Sequence, residues 1–214
     1  FDGTALSILQ HNSAQYIKHA LFFDYDATVV EVLNKRIEQL GCTNAAAFVG
    51  DYNKPDSICG IISQRISQAS SLNLVFLDPT DCSVPFELLV QLKKTLRNID
   101  IIINVATGTD FNRNIPMAFN DPERALKYCR FLGTSDFFLL DQNVNLKNTK
   151  QYDILRERFR DAYKQSLMRI GYKHFSIHRI EHYYDILFAA GHPKAIEFWN
   201  KAQAIPYDGQ RSLF

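Results

Sequence analysis

Several signatures are missing from this sequence, and each absence removes a class of function. The four cysteines, Cys42, Cys59, Cys82 and Cys129, are scattered with no CxxC pair. A zinc site or disulfide framework is therefore not expected, and the thiols read as reduced structural residues of a cytoplasmic protein. No apolar run approaches the roughly 18 residues of a membrane span, so no membrane contact is expected. The net charge is only +1, which gives no global pull toward nucleic acid and leaves a local basic patch as the one route to such contact. Ala106-Thr107-Gly108-Thr109 lacks the further glycines and the lysine of a phosphate-binding loop. A nucleophile elbow, a kinase signature, internal repeats and low-complexity tracts are all absent.

What is present is a chain of 214 residues, 46% hydrophobic and 22% charged. That composition is expected of one globular domain large enough to bury a sizeable core. The most informative stretch runs from Leu72 to Phe86, LNLVFLDPTDCSVPF. Its apolar half reads as a strand buried on both faces, stopped by Asp78-Pro79, with a helix from about Val84. Asp78 would stand at the carboxyl end of that strand, where open α/β sheets bind ligands. Asp81 or Ser83 is the candidate cap of the next helix.

Two other runs end in the same way. Ala20 to Asp26, ALFFDYD, is followed by a helix with Val29, Leu33, Ile37 and Leu40 on one face. Ala45 to Asp51, AAAFVGD, precedes Asn53 as candidate helix cap and Pro55 in the first turn. A fourth run, Ile99 to Val105, leads through Asn104 into a polar loop. Asp24, Asp51 and Asp78 would then line one edge of a parallel sheet, although Asp24 also suits a helix cap and Asp51 a turn.

The remaining elements follow from periodicity and capping. Gly3 to Gln15 reads as a helix, and Asp121-Pro122 opens another that ends near Leu132. Gly133 to Lys150 is polar and irregular apart from Phe137 to Leu140. Tyr152 to Ile170 is a long helix buried through Leu155, Phe159, Tyr163, Leu167 and Ile170. Its Arg156, Arg158, Arg160, Lys164 and Arg169 are read as a solvated face, with nucleic-acid contact the lesser alternative. Lys173 to Ile180 and Tyr183 to Ala190 are separated only by Glu181 and His182, so they are expected as antiparallel neighbours. A helix from Pro193 to Ala204 closes the series. His174 and His178 recur at a four-residue interval with His182, but on a strand the first two lie about 13 Å apart, too far to share a metal ion.

The order of elements and the motifs FVGDYN, LVFLDPTDCSVPFELL, DIIIN with FNRN, FLGTSDF and YYDILFAAGHPKAIEFWNKA together resemble the three-Cys-motif partner family of bacterial and archaeal proteins. The resemblance runs along nearly the whole chain. It implies an α/β, Rossmann-like class I methyltransferase sheet, mostly parallel with one antiparallel strand and helices on both faces. The first strand and its glycine-rich turn are missing from residues 1–214, so the single domain is expected to be incomplete at its N-terminal side. Carried over by position, the resemblance implies S-adenosylmethionine as cofactor. Asp24 would hold the ribose hydroxyls with Tyr25 beside the adenine, and Asp51 with Tyr52 would contact the adenine amino group. Asp78 and Pro79 would lie near the methyl group, with Asp78 the candidate catalytic residue. Asn104 and Arg113 would stand on the substrate side. Base-amine methyltransferases carry Asn or Asp, Pro, Pro and an aromatic at this strand end, whereas this chain reads Asp78, Pro79, Thr80, Asp81. The alternative implied is therefore a non-catalytic protein that engages a cysteine-motif partner.

Overall fold

A computed structural model describes residues 3–67, 71–180 and 183–204. It is a mixed α/β structure in two compact units, residues 1–71 and 72–214.

The first unit is built on two parallel strands, β1 (Ala20–Asp24) and β2 (Ala45–Val49), paired in register from Ala20 opposite Ala45 to Asp24 opposite Val49. The expected N-terminal helix is shorter, α1 (Thr4–Gln10), followed after His11 by a 3-10 turn over Asn12–Tyr16. Helix α2 (Ala27–Gln39) covers one face of the strand pair and buries Val30 and Ile37 against Leu9, Ala20 and Ala47. Val30 replaces the expected Val29, and both Val29 and Leu40 are exposed. Within this stripe the spacing is Val30, Leu33, Ile37, a 3-4 repeat that fits 3.6 residues per turn. Helix α3 (Pro55–Arg65) buries Ile58, Cys59 and Ile62. Gly50, between β2 and α3, permits the close approach, since a Cβ there would meet Phe23 at 2.9 Å and Ile58 at 3.2 Å. Pro55 opens α3 as expected, but Lys54 rather than Asn53 occupies the cap position, and its side chain makes no cap bond. The Asn34 carboxamide on α2 donates to the Ala47 carbonyl and accepts from the Ala47 amide, both at 2.9 Å. It thus acts as a one-residue substitute for a neighbouring strand along β2.

The second unit holds a four-stranded sheet in the order β3 (Leu72–Leu77), β4 (Asn98–Val105), β6 (Tyr184–Ala190), β5 (His174–Ile180). The β3–β4 pair is parallel and the other two pairs are antiparallel. The β5–β6 hairpin is as expected, and its connecting residues Glu181 and His182 lie outside the described residues. One face of this sheet, through Ile99, Ile101, Ile103 and Val105 of β4 and Leu187 and Ala189 of β6, is buried. On the other face, helix α9 (Pro193–Gln203) stacks Trp199 on Phe188 with ring centroids 4.9 Å apart.

β3 departs from expectation. Its burial alternates rather than being complete, and Leu72, Leu74 and Phe76 are 91%, 62% and 41% exposed. A continuous apolar run was read as burial on both faces; here one face alone is used within this unit.

Five helices complete the unit: α4 (Phe86–Thr95), α5 (Asn112–Ala118), α6 (Pro122–Leu132), α7 (Asp141–Asn148) and α8 (Tyr152–Arg169). Between β4 and α5 the chain makes a π-helical turn, Thr107–Phe111, where a polar loop was expected. Helix α7 likewise occupies part of the stretch read as irregular. Phe111, Phe131 and Phe159 form a stack, at 3.8 Å between the first and last and 6.0 Å between the last two, with Tyr128, Phe137 and Tyr163 packed edge-on or parallel around it. Leu155, Phe159, Tyr163 and Leu167 of α8 are buried as its periodicity requires. Asp121 caps α6 by accepting from the Glu123 and Arg124 amides, with Pro122 next. Gly133 ends it at φ +67°, where a Cβ would sit 2.6 Å from the Phe86 ring.

Candidate functional site

In the first unit, two acids stand at the carboxyl ends of adjacent parallel strands. Asp24 is the last residue of β1, and its Oδ1 accepts from the Asp26 amide at 2.9 Å. Asp26, not Asp24, caps α2, through the Thr28 amide at 2.8 Å. Asp51 follows Gly50 beyond β2. Its Oδ1 accepts from the Asn53 amide at 2.9 Å and side chain at 3.2 Å, and Lys54 Nζ is 3.9 Å from its Oδ2. Asp51 therefore forms the turn, which accounts for Asn53 being drawn away from the helix cap. Each acid spends one oxygen on the backbone just ahead of it, the bond pattern that fixes a short polar side chain in a turn. Asp24 Oδ2 has no partner among the described residues. Beside them, Tyr25 is 78% exposed and Tyr52 is half-buried.

In the second unit, the strand register sets Asp78, one residue beyond β3, on the same side as Asn104 of β4. Asn104 Nδ2 donates to Asp78 Oδ1 at 2.9 Å, so the two candidates from the sequence meet. That bond fixes the amide's orientation and leaves Asn104 Oδ1 buried with no donor among the described residues. An unsatisfied buried acceptor costs about 1–3 kcal/mol. Pro79 is half-buried and Thr80 exposed. Arg113 is exposed on α5 rather than in a loop, with no ion pair or hydrogen bond to Asp78 or Asn104.

A second polar group, unsuspected from the sequence, is centred on Asp110 in the π-helical turn. Its Oδ2 accepts from the Cys82 amide and from Lys127 Nζ, each at 2.9 Å. Its Oδ1 accepts from Asn114 Nδ2 at 2.9 Å and from the Tyr128 hydroxyl at 3.1 Å. A carboxylate offers about four lone-pair positions, so Asp110 is saturated. Lys127 also reaches Asp81 Oδ2 at 2.9 Å. For Asp81, burial acts to raise the carboxyl pKa, but hydrogen bonds from Ser83 and Lys127 and the Lys127 charge outweigh it and hold the group below its ordinary range. Burial acts to lower Lys127, yet its bonds to Asp110 and Asp81 raise it above an ordinary lysine. Cys82 is wholly enclosed. Burial first, then the Asp110 charge, pushes its thiol well up, so it is protonated at neutral pH and inert as a nucleophile. Neither Asp81 nor Ser83 caps α4, whose cap position is Pro85; Asp81 Oδ1 instead accepts from the Ser83 amide at 3.1 Å.

A third group lies deeper. Asp185 of β6 is 1% exposed, and its Oδ2 accepts from Thr107 Oγ1 at 2.6 Å and Arg160 Nε at 2.5 Å, with Arg179 Nε 3.7 Å from its Oδ1. Three of the basic residues of α8 tie it to other elements, while Arg156 and Lys164 pair within the helix, Lys164 with Asp161 at 3.7 Å. Arg160 takes Asp185, Arg158 takes the Asn143 side chain, Arg156 takes Asp153, and Arg169 donates to the Gly133 carbonyl at 2.9 Å. A charge inside the apolar run YYDILFAA was the available signal for Asp185, since a buried carboxylate needs a cation. Asp110 carried no comparable signal, because three of its four donors lie far along the chain, Cys82 before α4 and Lys127 and Tyr128 on α6.

Among the described residues, no group of three or more His, Cys, Asp or Glu side chains is arranged to hold a metal ion, and no helix is long and apolar enough to cross a membrane. His174 and His178 lie on β5 as expected. No protein-family model matches this chain, and no curated protein matches it.

Proposed function

We propose that this protein is an S-adenosylmethionine-dependent methyltransferase of the three-Cys-motif partner kind, with a Rossmann-like class I methyltransferase sheet. The observation that carries the reading is the state of the strand-end acids. Asp24 and Asp51 follow adjacent parallel strands, and each directs its bonds to backbone through Oδ1 alone, which leaves acceptor capacity for a ligand's hydroxyls or amino group. The sheet orders support it as well. A doubly wound sheet that runs 3-2-1-4-5 contains the parallel neighbours 3-2 and 4-5. β2–β1 and β3–β4 are both parallel pairs joined through helices, and β6 supplies the reversed strand beside β4.

The strand-end residues fit the cofactor by their chemistry. Asp24 accepts from the ribose hydroxyls, Tyr25 presents an exposed ring for the adenine, and Asp51 with Tyr52 takes the adenine amino group. When bound, S-adenosylmethionine supplies a methyl group activated by its sulfonium. Asp78 and Pro79 belong to the reaction side. Asp78 Oδ2 and Asn104 Oδ1 are two acceptors without donors among the described residues, a pairing suited to orient an N–H or O–H nucleophile and, at Asp78, to take its proton. Arg113 is kept as a substrate-side residue of this proposal on position alone.

A second reading has an observation of its own. Asp81, tied to Lys127, stands where base-amine methyltransferases carry a stacking aromatic. In that reading the methyltransferase-like fold is non-catalytic and serves to engage a cysteine-motif protein. Fold alone does not choose between the two. Incubation with methyl-labelled S-adenosylmethionine and an extract of a source cell separates them. Label transferred by the wild type and lost in Asp78→Ala supports the enzyme; no transfer by a protein that binds the cofactor supports the partner role.

A further inference from the structure

The segment between β3 and α4, residues 78–85, carries Asp78 and Pro79, and two of the bonds that hold it run through side chains from elsewhere in the unit. Asp110 accepts from the Cys82 amide at 2.9 Å, and Lys127 pairs with Asp81 at 2.9 Å. Lys127 also bonds Asp110 at 2.9 Å, so the two contacts form one connected clip. Asp110 itself is fixed by Asn114 and Tyr128, and its side chain is only 10% exposed. Lys127 and Asp81 form the outer part, about one-third exposed. The clip therefore has a rigid inner anchor and an outer arm that water can reach. Under it lies Cys82, fully enclosed. A saturated Asp110 has no lone pair left to serve chemistry, and a paired Lys127 has no free charge to offer a ligand. What the pair can do is set the course of the segment.

We propose that Lys127 and Asp110 are positioning residues that clamp residues 78–85 and so fix Asp78 and Pro79 at the end of β3. The link to catalysis rests on the methyltransferase reading; the clamp itself does not. Opening the segment must uncover Cys82, which makes that thiol a local reporter independent of activity.

The test is native-state alkylation by iodoacetamide, quantified at the Cys82 peptide by mass spectrometry, with Cys42 of the other unit as internal standard. Lys127→Met and Asp81→Asn are each expected to raise the Cys82 rate by on the order of tenfold while Cys42 is unchanged, because a lost tether increases the population of a locally open form. Lys127→Arg keeps the charge and is expected to restore slow labelling. Asp81→Asn leaves the Lys127–Asp110 bond in place, so it decides the matter if Lys127→Met fails to fold. A lysine that merely braces α6 against the π-helical turn would leave Cys82 labelling unmoved in Asp81→Asn, and that result overturns the clamp. Calorimetric titration of the wild type with the demethylated cofactor product separates the two claims. Faster Cys82 labelling in the variants with no cofactor binding keeps the clamp and removes the methyltransferase reading. Cofactor binding with unmoved labelling does the reverse.

Discussion

Asp110 and Asp78 both lie just past the carboxyl ends of neighbouring strands, yet they are used in opposite ways. Asp110 accepts four hydrogen bonds from three segments and is mostly buried. Asp78 accepts one, from Asn104, and is exposed. Asp24 in the other unit resembles Asp78, with a single bond into its own turn. Position at a strand end is thus not enough to separate an acid that braces the fold from one open to a ligand. The number of donors already satisfied makes the separation, because only an unsatisfied lone pair has interaction energy left to give to something new.

The comparison predicts a ranking of substitutions. Asp110→Ala should cost the most, about 3 kcal/mol in urea unfolding, since it takes one of two carboxylate partners from Lys127 and removes the side-chain acceptor of the Tyr128 hydroxyl and the Cys82 amide. A loss under about 1 kcal/mol would mean that the bracing role is wrong. Asp185→Ala should fall close behind at about 2–3 kcal/mol, because Arg160 is left nearly buried and unpaired. Asn34→Ala should cost about 1–2 kcal/mol by uncovering the Ala47 amide and carbonyl on β2. At the bottom, Asp24→Ala and Asp78→Ala should each stay within about 0.5 kcal/mol of the wild type. If either acid proved as costly as Asp110, the contrast would collapse.

Acid titration sharpens the same contrast at finer scale. Asp81 is held below its ordinary pKa, so its share of stability is present above the unfolded value of about 4 and is lost as pH falls through the lower folded value. In Asp81→Asn the decline of stability on acidification should be shallower than in the wild type, read from melting temperatures across that window. An unchanged acid limb would show that the Lys127 contact contributes nothing to the folded state.

Much of this was legible in the sequence, and the failures have identifiable causes. The strand ends at Asp24 and Asp78, the α6 cap Asp121-Pro122, the buried stripe of α8 and the β5–β6 hairpin all depend on local pattern, and local pattern recovers them. Val30 was mistaken for Val29 because both residues are valine and one helical step decides which faces in. β3 was misjudged because an apolar run reports hydrophobicity, not which of its faces is covered within its unit. Helix α7 was missed since its sequence, DQNVNLKN, has too few apolar residues to show a period. The Asp110 group was invisible for a deeper reason. Of its partners, Asn114 is local, four residues on, but Cys82, Lys127 and Tyr128 become neighbours only after β3, β4 and α6 have packed, and no spacing in the chain encodes that.

The account's central claim, that the open strand-end acids form an adenosyl-cofactor site, is tested most directly by calorimetric titration. The titrants are S-adenosylmethionine and its demethylated product, added to the protein at its full natural length, with any chain preceding residue 1 included, and to its Asp24→Ala variant. The account predicts micromolar binding to the wild type and loss of binding in a variant that melts at the wild-type temperature. Equal affinity in the two proteins, or no binding by a well-folded wild type, would contradict it.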